Sequence, residues 1–484
     1  MRRIHRLFSH LGFPGVATVP GISTLLLVLG LSWVPARGES YVYIQNDSPQ
    51  TVTLEISVRG GLTQGKHWDR MCSELEPWQK ATPVLWFNRD EGIKWGRDFY
   101  FETKVVCDGR VLATLRQKLH GNWIGSSLYH SADDLDWFSD RDVHLSDSSA
   151  GVQTLFKSAY TGWYDDLVYV VHAEEVYDHL RHLATDVPDQ LTLLAYNLQL
   201  LPTSIQWIDQ GLRARYVGEA LDGFDAIVFS EAFDDDVRGF DEAGNTGDPD
   251  SLWEHIRHMY PYRTDIVGKD EGLEQDGGVF IASRWPILHQ EDLVYDESVC
   301  EASDCLSEKG VMYARIEKSL NGMSRTYHLF GSHLQADYPG DDNSHVRTSQ
   351  LNELRRFVDA LGIPADEPVI MAGDFNVDLD SGEYPQMLDR LNAADPERAE
   401  YGFPYSLDGF TNAMADPDGE WMLDYVLVDR SHRMPRFGET AVLVLRSPAP
   451  EMMAKSAGQR RQDMHVLGNY SDHYPVFAYF DFSD

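Results

Sequence analysis

Two hydrophobic grammars run along this chain. In the first, apolar and polar positions alternate. Thr51-Val52-Thr53-Leu54-Glu55-Ile56-Ser57-Val58 puts Val52, Leu54, Ile56 and Val58 on one face, the period of a half-buried strand. Tyr41–Ile44 reads as a strand before it, and the turn Asn46-Asp47-Ser48-Pro49 predicts that the two form a hairpin. Asp108-Gly109 predicts a second hairpin between Phe99–Cys107 and Arg110–Leu119. This region is expected to be a β-rich sandwich. After Ala184-Thr185-Asp186-Val187-Pro188-Asp189 the grammar changes. Leu191–Ala195, Ala226–Phe229, Val279–Ile281, Tyr327–Phe330 and Val369–Ala372 are short, nearly continuous apolar runs, as strands covered on both faces require. Helical patterns over Gly211–Leu221, His345–Leu361 and Tyr384–Leu391 lie between them. This alternation predicts a two-sheet α/β sandwich with its reactive residues on loops at one end.

At 484 residues the chain is too long for one core, and two domains are expected, 39–187 and 188–484. The first 38 residues read as a secretory signal. Arg2, Arg3 and Arg6 precede an apolar core, Ser23–Val34, and Ala36-Arg37-Gly38 offers a cleavage site. Secretion favours disulfides, and pairing within each domain gives Cys72–Cys107 and Cys300–Cys305. The formal charge of −36 repels polyanions, so neither nucleic acids nor anionic membranes are expected partners, whereas a zwitterionic lipid surface is permitted. Seven of the twelve tryptophans fall between Trp68 and Trp163. Packing inside a sandwich accounts for most such residues; a lipid- or sugar-binding surface is the alternative.

Polar clusters interrupt the apolar runs at their ends: Ala195-Tyr196-Asn197, Phe229-Ser230-Glu231, Gly331-Ser332-His333, Gly373-Asp374-Phe375-Asn376, Leu423-Asp424-Tyr425 and Ser471-Asp472-His473. Each residue type has a use in metal-assisted phosphoryl transfer. Glu231 suits a hard divalent cation, with Asn197 supplying an amide oxygen or holding a metal-bound water. His473 titrates in the range of a general base, and Asp424 is placed to fix its tautomer. His333 and Asn376 offer donors to phosphoryl oxygens. Asp374 would orient the attacking water or serve the leaving oxygen. Singly, Asn197 or Asp374-Phe375-Asn376 reads as a plain turn and His333 as structural. Asp424 inside the apolar run Trp421–Val428 is harder to explain without a partner.

In this order the clusters resemble the endonuclease/exonuclease/phosphatase superfamily, which has a four-layer, DNase I-like fold. Glu231-Ala232-Phe233-Asp234, Asp276-Gly277-Gly278-Val279, Ser283-Arg284-Trp285-Pro286, Lys309-Gly310-Val311 and Asn469–Val476 narrow the resemblance to bacterial neutral sphingomyelinases over about residues 189–484. That resemblance implies a secreted, haemolytic, monomeric enzyme that uses Mg²⁺, with Mn²⁺ or Co²⁺ as substitutes, to cleave sphingomyelin in zwitterionic membranes. It implies His473 as base, His333 as phosphate contact or proton donor, Glu231 as central metal ligand, and Asp472 among the metal residues. A second, edge metal would involve Phe233, Asp235 and Asp276. Asp235 stands where the family has Asn, and Gln275-Asp276 replaces an acidic pair. The family's membrane hairpin corresponds to about 445–468, where Met452-Met453 and Arg446, Lys455, Arg460 and Arg461 occur. The alternatives are a nuclease or inositol-phosphate phosphatase of the same superfamily, or a lipid-binding toxin without catalysis.

Overall fold

The structure is a computed structural model. It describes residues 38–133, 136–139, 152–155, 166–172, 180, 187–202, 210–241, 244, 250–269, 275–296, 299–338, 340–453 and 465–484. The signal segment expected over residues 1–38 lies, but for Gly38, outside them, as do Trp163 and residues 454–464.

Two sheets form the β-rich region. One has five strands, with Glu39–Asp47 at its centre between Thr82–Asn88 and Leu167–His172. The other has six, including Val52–Arg59, Asp98–Cys107 and Arg110–Gly121. Val42, Ile44, Phe87 and Tyr169 of the first meet Val52, Leu54, Phe101 and Leu115 of the second in one core. The hairpin expected at Asp108-Gly109 forms, with both residues at positive φ (48° and 74°), as a tight two-residue turn requires. The hairpin expected at Asn46–Pro49 does not form. Glu39–Asp47 and Val52–Arg59 belong to different sheets, because stacking face to face buries both apolar stripes on a common core. Asn46 Nδ2 holds the crossover by donating to Gln50 O and Glu76 O, 2.8 Å each.

The expected Cys72–Cys107 bridge is also absent: both thiols are free. Val52–Arg59 lies between Glu74–Leu75, which follows Cys72, and Asp98–Cys107. Two strand spacings, roughly 10 Å, exceed what a disulfide spans. Cys300–Cys305 is bonded. Among the described tryptophans of this region, Trp68, Trp78, Trp86 and Trp137 are half-buried, and Trp95 and Trp123 stand exposed.

From Gln190 onward the chain builds two stacked sheets. The seven-stranded one centres on Ala226–Ala232, Gln190–Leu200 and Val476–Asp481; the six-stranded one centres on Met323–His333, Val369–Asp374 and Asp424–Asp429. Leu193, Ala195 and Val228 of the first pack on Leu329, Ile370 and Val426 of the second. Helices Gln210–Ala220 and Leu252–Ile256 cover the outside of one sheet, and Ser344–Ala360 and Glu383–Leu391 the outside of the other, giving four layers. Gln190–Leu200 runs parallel to Ala226–Ala232, and Met323–His333 parallel to Val369–Asp374, so four carboxyl ends emerge on one edge. The antiparallel strands Asp424–Asp429 and Val476–Asp481 begin on that edge.

The opposite edge is pinned by a buried ion pair across the sheets. Lys318 Nζ lies 2.8 Å from Asp225 Oδ2 and donates to Gln190 O at 2.8 Å. Trp285 Nε1 donates to Asp225 Oδ1 at 2.7 Å. Lys318→Ala strands a carboxylate in the core, and such a loss costs about 3–5 kcal/mol. Urea unfolding should show that drop, with catalysis by the folded fraction unchanged.

A buried arginine joins the two regions. Arg446 is buried; Nη1 is 2.8 Å from Asp47 Oδ1, and Nη2 donates to Trp78 O, Thr411 O and Tyr474 Oη. From sequence, Arg446 is expected among the basic residues facing lipid. Its four acceptors remove it from that set. The expected hairpin is present in backbone pairing, with Arg446–Met453 antiparallel to His465–Asn469.

Candidate active site

The strand ends deliver the reactive residues in register. His333 pairs with Asp374 and Asp374 with Asp424 across three neighbouring strands, so the six-stranded sheet presents them side by side. The other sheet contributes Asn197 and Glu231. A register shift between Asn197 and Leu200 lets the chain re-aim there. Gln199, Glu231 and Asn376 all adopt left-handed backbone (φ 48°, 53° and 50°), strain of the kind that collects at functional sites. Gly373, at φ 136°, is imposed by crowding: a Cβ there would sit 2.0 Å from Ser332 O.

His473 is buried, and its Nδ1 lies 2.7 Å from Asp424 Oδ2. Asp424 is itself seated by Ser406 Oγ, which accepts from the Asp424 amide. This leaves His473 Nε2 turned toward Asp374 Oδ2, 3.9 Å away. Burial works against a charged imidazole, but Asp424, Asp374 and Asp472 outweigh it and hold the ring's pKa well above its ordinary value.

Asn197 Nδ2 bridges two carboxylates, donating to Glu231 Oε1 and Asp374 Oδ2 at 3.0 Å each. Its oxygen, expected to face a metal, accepts from Gln199 N instead. Gln199 Nε2 in turn donates to Asp472 Oδ2 at 2.6 Å. Burial, then the charge of Asp472, pushes Glu231 up to about 7; burial and Asp424 push Asp374 up to about 6. Glu231, Asp374 and His333 bring ligand atoms within 4.8 Å of one another. Two acids with raised pKa values, Asp374 buried and Glu231 half-buried, bridged by a neutral amide, fit a hard divalent cation.

His333 is buried, with Nε2 3.8 Å from Glu231 Oε1 and 3.7 Å from Asp374 Oδ2. Lys309 Nζ stands 3.0 Å from that nitrogen and also donates to Leu334 O. An ammonium only donates, so Nε2 accepts and the proton of a neutral ring sits on Nδ1. Burial and the neighbouring Lys309 hold the His333 pKa well below its usual value. Lys309 and His333 both line the cleft, and in this arrangement Lys309 Nζ is a donor beside His333 Nε2. Asp304 holds Lys309 from behind at 3.0 Å, and it sits inside the Cys300–Cys305 loop. Asn376 spends one amide hydrogen on Leu334 O. In the sequence Lys309 stands out only within Lys309-Gly310-Val311; Asp304, Gln199 and Ser406 carry no local signal, since their partners are distant in the chain.

Glu231, Lys309, His333, Asp374, Asp472 and His473 line a cleft of about 770 Å³ whose apolar wall includes Leu201, Phe233, Leu306, Leu407, Trp421 and Leu423. Phe233 reaches the cleft, but Asp235 and Asp276 do not; both hold Arg238.

The model of the Endonuclease/Exonuclease/phosphatase family matches residues 194–473. A sphingomyelinase C of Leptospira interrogans is 34% identical over 61% of this chain and 53% of its own length, so the chain spans about half of that relative. A sphingomyelinase C of Bacillus cereus is 30% identical over 61% of this chain and 90% of its own length. Among solved structures, a mutant beta toxin from Staphylococcus aureus with bound magnesium ions superposes with a TM-score of 0.52 at 28% identity, over 60% of this chain and 99% of that one. The interleaved Asn197–Glu231–Asp374 and Asp424–His473 sets thus fall within the matched span, and the chain belongs to the endonuclease/exonuclease/phosphatase family, in its bacterial sphingomyelinase C branch.

Proposed function

We propose that this protein is a secreted, divalent-cation-dependent phosphodiesterase that hydrolyses sphingomyelin to ceramide and phosphocholine. The Asp424–His473 pair beside the Glu231–Asp374 carboxylates carries the reading. Glu231, Asp374 and Asp472 would hold the cation, with Asn197 Nδ2 holding Glu231 and Asp374 together, Mg²⁺ by analogy with the magnesium in the beta toxin structure. When bound, it supplies positive charge to the phosphoryl oxygens and the leaving oxygen, and it offsets the carboxylates that make His473 hold its proton. His473 Nε2 takes a proton from water as the water oxygen bonds to phosphorus. The phosphorus–ceramide oxygen bond breaks on the opposite side, and Lys309, with His333 behind it, is placed to donate to the oxygen that leaves. Trp421 and Asp378 in the cleft offer a π face and a negative charge, chemistry that suits a quaternary ammonium headgroup.

The decisive measurement is phosphocholine release from sphingomyelin and phosphatidylcholine vesicles, with and without EDTA, beside nicking of plasmid DNA. Sphingomyelin-selective, EDTA-sensitive release supports the proposal. DNA nicking without phosphocholine release would move it to a nuclease.

The hairpin built on Arg446–Met453 and His465–Asn469 is proposed as the membrane contact. Met side chains enter lipid interfaces readily, and Lys455, Arg460 and Arg461 can reach lipid phosphates. Met452→Asp with Met453→Asp is expected to cut vesicle binding and haemolysis while sparing a soluble phosphodiester substrate. Equal loss on both substrates would place these residues in the active site instead.

A further inference from the structure

Family resemblance assigns Asp235 and Asp276 to a second divalent cation at the edge of the cleft. Their surroundings do not fit one. Asp276 is fully buried; Oδ1 accepts from Gly278 N at 2.8 Å, and Oδ2 meets Arg238 Nη1 at 2.8 Å. Arg238 is equally buried and sits at the end of the one-turn helix Asp235–Arg238. Its Nη2 pairs with the Asp235 carboxylate, three residues back. Its remaining contacts are with backbone oxygens, Nη1 to Ala232 O at 2.7 Å and Nε to Phe240 O at 2.9 Å. The guanidinium carbon lies 4.9 Å from the centre of the Phe240 ring.

A buried carboxylate needs a countercharge, and for Asp276 the Arg238 guanidinium supplies it. A hydrated divalent ion needs an open shell of oxygens and keeps several waters. Asp276, with both oxygens taken and no exposure, offers neither ligand nor space. Gln275, neutral where the family has an acid, lowers the local charge that would attract such an ion. A planar fork of five donors fits two carboxylates and two carbonyls without water.

We infer that Arg238 is a built-in cation that replaces the edge metal in this chain, so the protein takes up one divalent ion, at Glu231, and none at Asp235–Asp276. The inference rests on the reading of Glu231 as the central ligand. Arg238 ties the exit of the Glu231 strand, through Ala232 O, to the Asp276–Gly278 turn that packs on Phe233; a Cβ at Gly278 would come within 2.7 Å of that ring. A fixed charge therefore braces the carboxyl end that carries Glu231.

The test is Mn²⁺ titration of metal-stripped protein, read by electron paramagnetic resonance. Wild type should bind one ion per chain, and Glu231→Gln none. Asp276→Asn should keep one ion with its affinity changed less than about twofold, too little to count as a lost ligand. Arg238→Gln should raise the count toward two, and the added site should vanish in Arg238→Gln with Asp276→Asn. Two ions on wild type, one of them lost in Asp276→Asn, would overturn the inference. So would an Arg238→Gln protein that folds and still binds one. If Arg238→Gln does not fold, wild type and Asp276→Asn decide the matter alone. No ion on wild type would instead overturn the Glu231 reading and leave Asp235–Asp276 metal-free, as inferred here.

Discussion

His473→Ala is expected to slow phosphocholine release by roughly 10²–10⁴-fold, the usual cost of removing a general base. Binding to sphingomyelin vesicles should not change, because the ring is buried at the floor of the cleft. The reason for so large an effect is that nothing replaces the imidazole. Asp374 Oδ2, 3.9 Å from the Nε2 position, is already bridged by Asn197 to Glu231. Asp424→Asn should also be slow: an amide in place of the 2.7 Å carboxylate neither fixes the Nδ1 tautomer nor stabilises the imidazolium. A His473→Ala enzyme within about twofold of wild type would reject the assignment, since twofold is negligible on the scale of barrier changes.

Glu231→Gln is expected to remove divalent-cation binding and, with it, nearly all activity, leaving the melting temperature of the metal-stripped protein unchanged or higher. The stability follows from burial: the native site already disfavours the Glu231 charge, pushing it up to about 7, and Gln carries none. The same fact sets the pH dependence of binding in wild type. Proton and cation compete for Glu231 and Asp374, at about 7 and about 6 in the metal-free state. Above pH 7 both are ionised and affinity is highest. As pH falls through 7 and then 6, each displaced proton weakens binding by up to about tenfold per unit. Isothermal titration at pH 8 and pH 6 should show roughly a tenfold or greater loss at the lower pH. Equal affinity at both would mean that the cation sits elsewhere.

What the sequence could say depended on how local the cause was. Asp424 was legible because a carboxylate inside an apolar strand demands a partner, and His473 is that partner. The edge that carries the site was legible because each polar cluster stands at one end of an apolar run, closing four of them and opening the two that begin at Asp424 and after His473. The Asp108-Gly109 hairpin was legible because two residues suffice to specify it. The failed hairpin at Asn46–Pro49 is the counterexample: the same turn signal serves a sheet-to-sheet crossover, and only the distant strands Thr82–Asn88 and Asp98–Cys107 decide between them. Cys72–Cys107 failed for the same reason, since the strand placed between them could not be foreseen. Lys309, Asp304 and Arg238 act through partners that folding alone assembles. For Arg238 the hint was present but small: an arginine three residues after Asp235 on a helical turn.

Arg446 makes the α/β half a tenant of its neighbour. Of its four acceptors, Asp47 and Trp78 belong to the β-rich half, while Thr411 and Tyr474 belong to the half that holds the cleft. Cut at residue 187, the polypeptide would keep the guanidinium and lose half of what satisfies it. The damage would fall one peptide bond from His473, because Tyr474 follows it in the chain. A Bacillus cereus sphingomyelinase C is matched over 90% of its length by 61% of this chain, so the smaller architecture is viable elsewhere. Here Arg446 links the two halves, and removing the front half is expected to loosen the packing beside His473.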